Sequence, residues 1–142
     1  MSQIAHSIPA LARCGHQYCD VYLEPQGLKG SRAHAMLVVC NNPGISQDAL
    51  SRRIFLNKSN VARQVAALEE GGLLERRPDP ADKRAVQLFP TEAGMALQPL
   101  IRSAFCQWEG VLTAGLSEKE IEVLKDLLAR LKKNARAWME EN

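Results

Sequence analysis

Residues 45–94 read ISQDALSRRIFLNKSNVARQVAALEEGGLLERRPDPADKRAVQLFPTEAG, and the order of local signals within them decides the fold. Ile45-Ser46-Gln47-Asp48 is an apolar lead-in, a Ser cap and a polar first turn. It opens a short helix with Ala49, Leu50 and Ile54 inward. Phe55-Leu56 makes a turn, and Asn57 caps a second helix on which Val61, Val65 and Leu68 recur at helical spacing. Gly71-Gly72 supplies the left-handed stop. The period then changes. Residues 73–77 and 85–89 are short strand candidates, and residues 78–84 between them are rich in turn formers, which predicts a hairpin with a long charged tip.

Outward from this stretch the signals are helical. Pro9 suits a first helical turn, and Ile8, Leu11, Gly15, Tyr18, Cys19 and Tyr22 recur as one face of a helix over residues 9–24. Pro25-Gln26-Gly27 breaks it. Ser31 is placed to cap a largely apolar, buried helix that ends before Asn42-Pro43-Gly44. Thr91 opens a helix toward Thr113, and Ser117 with Glu120 forms a capping box for the last one. Along that last helix Ile121, Leu124, Leu128, Leu131, Ala135 and Trp138 alternate three- and four-residue spacings, a seam that suits a partner helix.

Composition sets the outer bounds. The chain has 142 residues, 46% of them hydrophobic and 24% charged, which is globular and about one domain in size. With three Phe, two Trp and two Tyr, the core must be mostly Leu, Val, Ile and Ala, a mix suited to helices. No apolar run is long enough to span a membrane, and the N-terminus lacks the basic and apolar regions of a signal peptide. The expected location is therefore the cytoplasm, with Cys14, Cys19, Cys40 and Cys106 reduced. No CxxC pair, metal-ligand spacing, Gly-rich phosphate loop, paired-carboxylate site or Ser-His-Asp pattern is present, so no enzyme, metal or cofactor is expected.

Net charge is only +2, but its distribution is uneven. From Ser46 to Arg63, Arg52, Arg53, Lys58 and Arg63 stand against Asp48 alone. From Arg76 to Arg84, four basic residues face Asp79 and Asp82, whereas from Glu109 onward six basic residues face seven acidic ones. An electropositive middle is the footprint of phosphate contact. Two short helices, a tight turn and a hairpin with a basic tip form the plan of a winged helix–turn–helix. The expected fold is thus mostly α with a small β-hairpin wing, the winged core being flanked by dimerisation helices.

On that plan the second helix enters the major groove of double-stranded DNA. Lys58, Ser59, Asn60, Arg63 and Gln64 are then exposed to base edges, while Val61, Val65 and Leu68 turn to the core. Arg52 and Arg53 would touch backbone, and Lys83 and Arg84 would reach the adjacent minor groove.

The same stretch resembles the DNA-binding core of the MarR family of bacterial transcription regulators. The resemblance rests on the Leu68-Glu69 and Gly72-Leu73 run, the Arg-Arg-Pro-Asp-Pro-x-Asp-x-Arg wing over 76–84 and the Thr91–Gly94 element. The chain departs at Phe89-Pro90-Thr91, where the family often has a Leu-Thr pair. The resemblance implies a homodimer clamped by the first helix and the last two, with Ile121, Leu124, Leu128, Leu131 and Trp138 on the seam. It also implies that Arg84 enters the minor groove with Asp82 bonded to it and fixing its rotamer. It divides the chain into an N-terminal dimerisation helix (1–30), a winged helix–turn–helix lobe (31–92) and C-terminal dimerisation helices (93–142).

The function implied is that of a dimeric repressor that reads a pseudo-palindromic operator and is released by a small-molecule effector. Tyr18, Tyr22, His34, Leu37 and Val38 are the candidate effector-pocket residues, by helix face and position. Two alternatives share the fold. One is a redox-sensing regulator using Cys14 or Cys19, although no Lys or Arg lies one turn from Cys19 to stabilise its thiolate. The other is a winged-helix protein-interaction module that does not bind DNA.

Overall fold

A computed structural model describes residues 3–142; Met1 and Ser2, within the expected N-terminal segment, lie outside the described residues. The elements are α1 (Gln3–Leu23), a short 3-10 turn (Glu24–Gln26), α2 (Gly30–Asn41), β1 (Ile45–Ser46), α3 (Gln47–Arg53), α4 (Lys58–Glu70), β2 (Leu74–Pro78), β3 (Val86–Pro90), α5 (Glu92–Leu112) and α6 (Glu118–Glu141). The three strands form an antiparallel sheet in the order β1-β3-β2. By internal packing the chain divides into a unit ending at Trp108 and a second from Glu109 to Asn142.

The first unit holds the core. Leu23, Leu28, Met36, Val39, Leu50, Val61, Val65, Leu68, Leu74, Leu88 and Ile101 are fully buried. The mostly apolar α2 is largely buried, as expected, with Ala33, Ala35, Met36, Val38, Val39 and Cys40 all inside. On α4 the stripe Val61–Val65–Leu68 is buried as its spacing predicts. The helix stops in a Schellman arrangement. Gly72 takes a left-handed φ of 75°, its N–H donates to Glu69 O, and Leu73 N–H donates to Leu68 O, both at 3.0 Å. Gly71, paired with Gly72 in the sequence reading, stays right-handed.

Thr91 joins this stop to the next helix. Its hydroxyl donates to Gly72 O (2.7 Å) and accepts from Gly94 N–H (3.1 Å), capping α5. Gly94 packs so closely that a Cβ there would lie 2.0 Å from Leu73 O. The residue must therefore be glycine for α5 to start where it does.

Several expectations need correction. Helix α1 begins at Gln3 and carries Pro9 in its interior, where the ring removes the N–H that would donate to the Ala5 carbonyl. Its inward row is Gly15, Cys19 and Leu23, spaced by four; Ile8, Leu11 and Tyr22 are exposed. Helix α2 starts at Gly30, not after a Ser31 cap: Asp20 of α1 accepts the Gly30 N–H at 2.6 Å, so the cap comes from another helix.

Ile45-Ser46 is more than a lead-in, since it pairs with Leu88 and Gln87 as a third strand, while Ser46 also caps α3 through Ala49 N–H. Ala49 is exposed, and the buried neighbour of Leu50 is Ser51, whose hydroxyl donates to Leu56 O at 2.5 Å. The two wing strands each sit one residue later than expected, because Leu73 is consumed in the α4 stop.

In the second unit, α6 begins in the predicted capping box of Ser117 and Glu120. No residue of α6 is buried. Among the described residues no helix is long and apolar enough to cross a membrane.

Candidate nucleic-acid interface

The outer surface of α4 is polar because its apolar residues are confined to one stripe. Lys58, Ser59 and Arg63 are exposed, and Asn60 and Gln64 are half-buried. The start of the helix is set by Asn57, whose side-chain oxygen accepts from Asn60 N–H (2.8 Å) and from the Ser59 hydroxyl (3.1 Å). One turn on, the Arg63 guanidinium donates to the Asn60 side-chain oxygen, so these two side chains are held as a pair. Gln64 turns toward α2, its amide nitrogen 3.4 Å from Ser31 O. Before α4, Phe55 adopts a left-handed φ of 56°, which makes the tight turn between the two helices.

Arg52 and Arg53 are exposed in the last turn of α3, where basic residues suit the helix dipole. Lys58 lies 3.8 Å from Asp48 across the turn, with both side chains largely in solvent, a pairing worth little.

The wing is held at both ends. At its root the Glu69 carboxylate of α4 accepts the Arg76 backbone N–H and Nε–H, each at 3.0 Å, and lies 2.9 Å from a terminal guanidinium nitrogen. The hydrogen bond from the Arg76 backbone, with that from its side chain, holds the Glu69 carboxyl below the usual range. Arg77 pairs with Glu75 and stacks over Phe89, its guanidinium carbon 4.0 Å from the ring centroid. Phe89 thereby finds a partner diagonally across the two strands.

At the tip, Asp79 accepts from Ala81 N–H (2.8 Å) and Asp82 from Arg84 N–H (2.9 Å). The expectation that Asp82 grips the Arg84 guanidinium is thus corrected. A carboxylate two residues ahead closes an Asx turn on the backbone, and Arg84 borders, with Ser46, Gln47 and Asp48, a small hollow of about 90 Å³. Lys83 and Arg84 are exposed.

Three contributors were not singled out from the sequence. Glu69 acts through the Arg76 backbone seven residues on, which no spacing rule reveals, and Asp79 closes a local Asx turn on Ala81. Arg32 of α2 lies outside the charge-rich stretch, yet it lines a cleft with Leu56, Asn60, Arg63 and Gln64.

The candidate effector residues do not converge. A cavity of about 290 Å³ in the first unit is lined by residues that include Gly15, His16, Cys19, His34, Phe105 and Trp108. Of the five expected residues only His34 lines it. Val38 is buried in the core and Leu37 packs against it. Tyr22 is exposed, and Tyr18 stacks between Tyr22 and Trp108 at centroid distances of 5.3 and 5.2 Å.

Cys14 and Cys19 are also separated: Cys14 is exposed and Cys19 buried, with Cys40 buried and Cys106 exposed. Burial, and then the nearby Asp20 charge, push the Cys19 thiol up. Burial outweighs Arg102 and raises the Cys40 thiol too. Among the described residues no cluster of three or more His, Cys, Asp or Glu could hold a metal ion.

On α6 the seam residues Leu124, Leu128, Leu131 and Trp138 are exposed and Ile121 is half-buried. An open groove of about 420 Å³ runs along Leu116, Val123, Leu124 and Leu127.

The profile of the MarR family matches residues 26–85. The HTH-type transcriptional regulator YybA of Bacillus subtilis (strain 168) is 30% identical over 139 residues, covering 97% of this chain and 93% of that protein. The crystal structure of the transcriptional regulator SlyA superposes with a TM-score of 0.92 at 29% identity, covering 99% of this chain and 100% of that one. A MarR-family regulator from Listeria monocytogenes, solved in complex with a 26mer DNA, gives a TM-score of 0.88 at 28% identity, covering 98% and 93% of the two chains.

Proposed function

This chain belongs to the MarR family of transcription regulators, and from that premise we propose that it is a homodimeric repressor that binds a pseudo-palindromic DNA operator and is released by a small-molecule effector. It is a regulator, not an enzyme. One observation carries the reading. The polar row Lys58, Ser59, Asn60, Arg63 and Gln64 stands on α4 over a buried apolar stripe, beside a wing stapled to the same helix. Such a helix presents its N-terminal side chains to the major groove. Asn60 reads adenine and Arg63 guanine, Arg52 and Arg53 take backbone phosphates, and Lys83 and Arg84 reach the flanking minor groove. The relative from Listeria monocytogenes held on DNA supports the same use of the fold.

The dimer uses residues 1–30 and 93–142 around the DNA-binding lobe. The apolar face of α6, exposed in the single chain, is covered by a second copy. The two recognition helices then meet half-sites about one helical turn apart. The cavity bounded by His16, His34, Phe105 and Trp108 receives the effector, whose binding shifts the dimer away from the spacing that fits DNA. The setting is the cytoplasm. The buried, raised thiol of Cys19 works against a redox switch there, because a reactive thiolate needs a lowered pKa.

A salt series of binding to a random-sequence duplex pool tests the DNA reading. Affinity that falls steeply with salt is expected; none, or affinity that ignores salt, favours a protein-interaction module.

A further inference from the structure

We infer that Arg32, on the first turn of α2, is a DNA-backbone contact that flanks the recognition helix. The inference rests on the proposed DNA reading and deepens it. The cleft that Arg32 lines with Asn60, Arg63 and Gln64 measures about 340 Å³ and is bordered by two arginines, with no acidic residue in its lining. Like charges placed together without a counter-charge disfavour each other unless an anion comes between them.

The placement is built. Gln64 donates to Ser31 O, which ties the residue before Arg32 to the recognition helix. The nearest acidic group on α1, Asp20, is already engaged by Gly30 N–H at 2.6 Å, and the first turn of α2 carries no acidic residue. Arg32 is half-buried and lines the cleft, as suits a long side chain whose stem packs while its charged end stays in reach of solvent.

Its role differs from that of Arg63. Arg63 is paired with Asn60 on the helix that enters the groove, and the pair is arranged to read bases. Arg32 belongs to a neighbouring helix and stands at the edge of that row. From there it meets the phosphodiester that borders the groove, a contact that positions without reading sequence. DNA backbone is the occupant that fits a cleft with two cations and two amides beside a base-reading helix.

The test measures affinity for a random-sequence duplex pool and for one fixed duplex, over a potassium chloride series, with wild type, Arg32→Ala, Arg32→Lys and Arg63→Ala. Arg32→Ala should weaken both probes alike and flatten the slope of log affinity against log salt by about 0.9 for each protomer bound. Arg32→Lys keeps the charge and should keep the slope. Arg63→Ala should instead change which sequences are preferred. If alanine lowers the melting temperature, Arg32→Gln, which keeps much of the stem, serves in its place. DNA binding with an unchanged slope in Arg32→Ala overturns this assignment alone, as does a loss confined to one sequence. A wild type without salt-dependent affinity overturns the DNA reading and this contact with it.

Discussion

The carboxylate of Glu69, near the end of the recognition helix, accepts both the backbone N–H and the guanidinium of Arg76, at the root of the wing. Helix α4 and the wing, the two parts proposed to read DNA, are thus coupled at their base by one side chain. The contact holds the Glu69 pKa below its ordinary value of 4.5, so its contribution is complete above that value and is lost as pH falls through the lower, folded one. The Arg76 backbone amide, followed by NMR, should therefore titrate with a midpoint below 4.5, and in Glu69→Gln it should not titrate there. A midpoint at or above 4.5 contradicts the contact.

Arg84 sits at an exposed tip whose backbone is fixed by Asp79 and Asp82. Arg84→Ala should weaken DNA binding about tenfold or more and leave the dimer and melting temperature unchanged. Gel-shift titration and sedimentation together check this, and unchanged affinity would remove the wing from the interface.

Leu128 is 47% exposed in the single chain, in the middle of the α6 seam. Leu128→Glu should place a charge in the subunit contact and give monomers by sedimentation equilibrium at concentrations where wild type is dimeric. A variant that remains dimeric rules out this face as the contact.

Thiol labelling tests the placement of the cysteines. A thiol-specific reagent at neutral pH should modify Cys19 and Cys40 only on unfolding, and Cys14 and Cys106, exposed in the single chain, ahead of them, as mass spectrometry would report. Burial raises the last two thiols and so lowers their thiolate fraction. Rapid modification of Cys19 would return it to consideration as a sensor.

What could be read in the sequence was what depends on near neighbours. The stripe Val61–Val65–Leu68, the caps at Asn57, Thr91 and Ser117, and the stop at Gly72 all follow from spacing within a turn or two of helix. What could not be read involves partners far apart in the chain. Ile45-Ser46 becomes a strand only because Leu88 and Gln87 arrive beside it. The cap of α2 is Asp20, on another helix. The inward row of α1 is chosen by what packs on it, so Leu23 is buried where Tyr22 was expected. The polar row of α4 was legible because an amphipathic helix leaves such residues outside. The cavity proposed for the effector was not, because its walls come from α1, α2 and α5 and share no sequence pattern.

The most direct measurement is selection of bound duplexes from a random pool by the wild-type protein. The account predicts enrichment of an inverted repeat whose half-sites lie about 10 base pairs apart, one helical turn, as two recognition helices of a dimer require. Recovery of no sequence preference, or of a single unrepeated site, would contradict it.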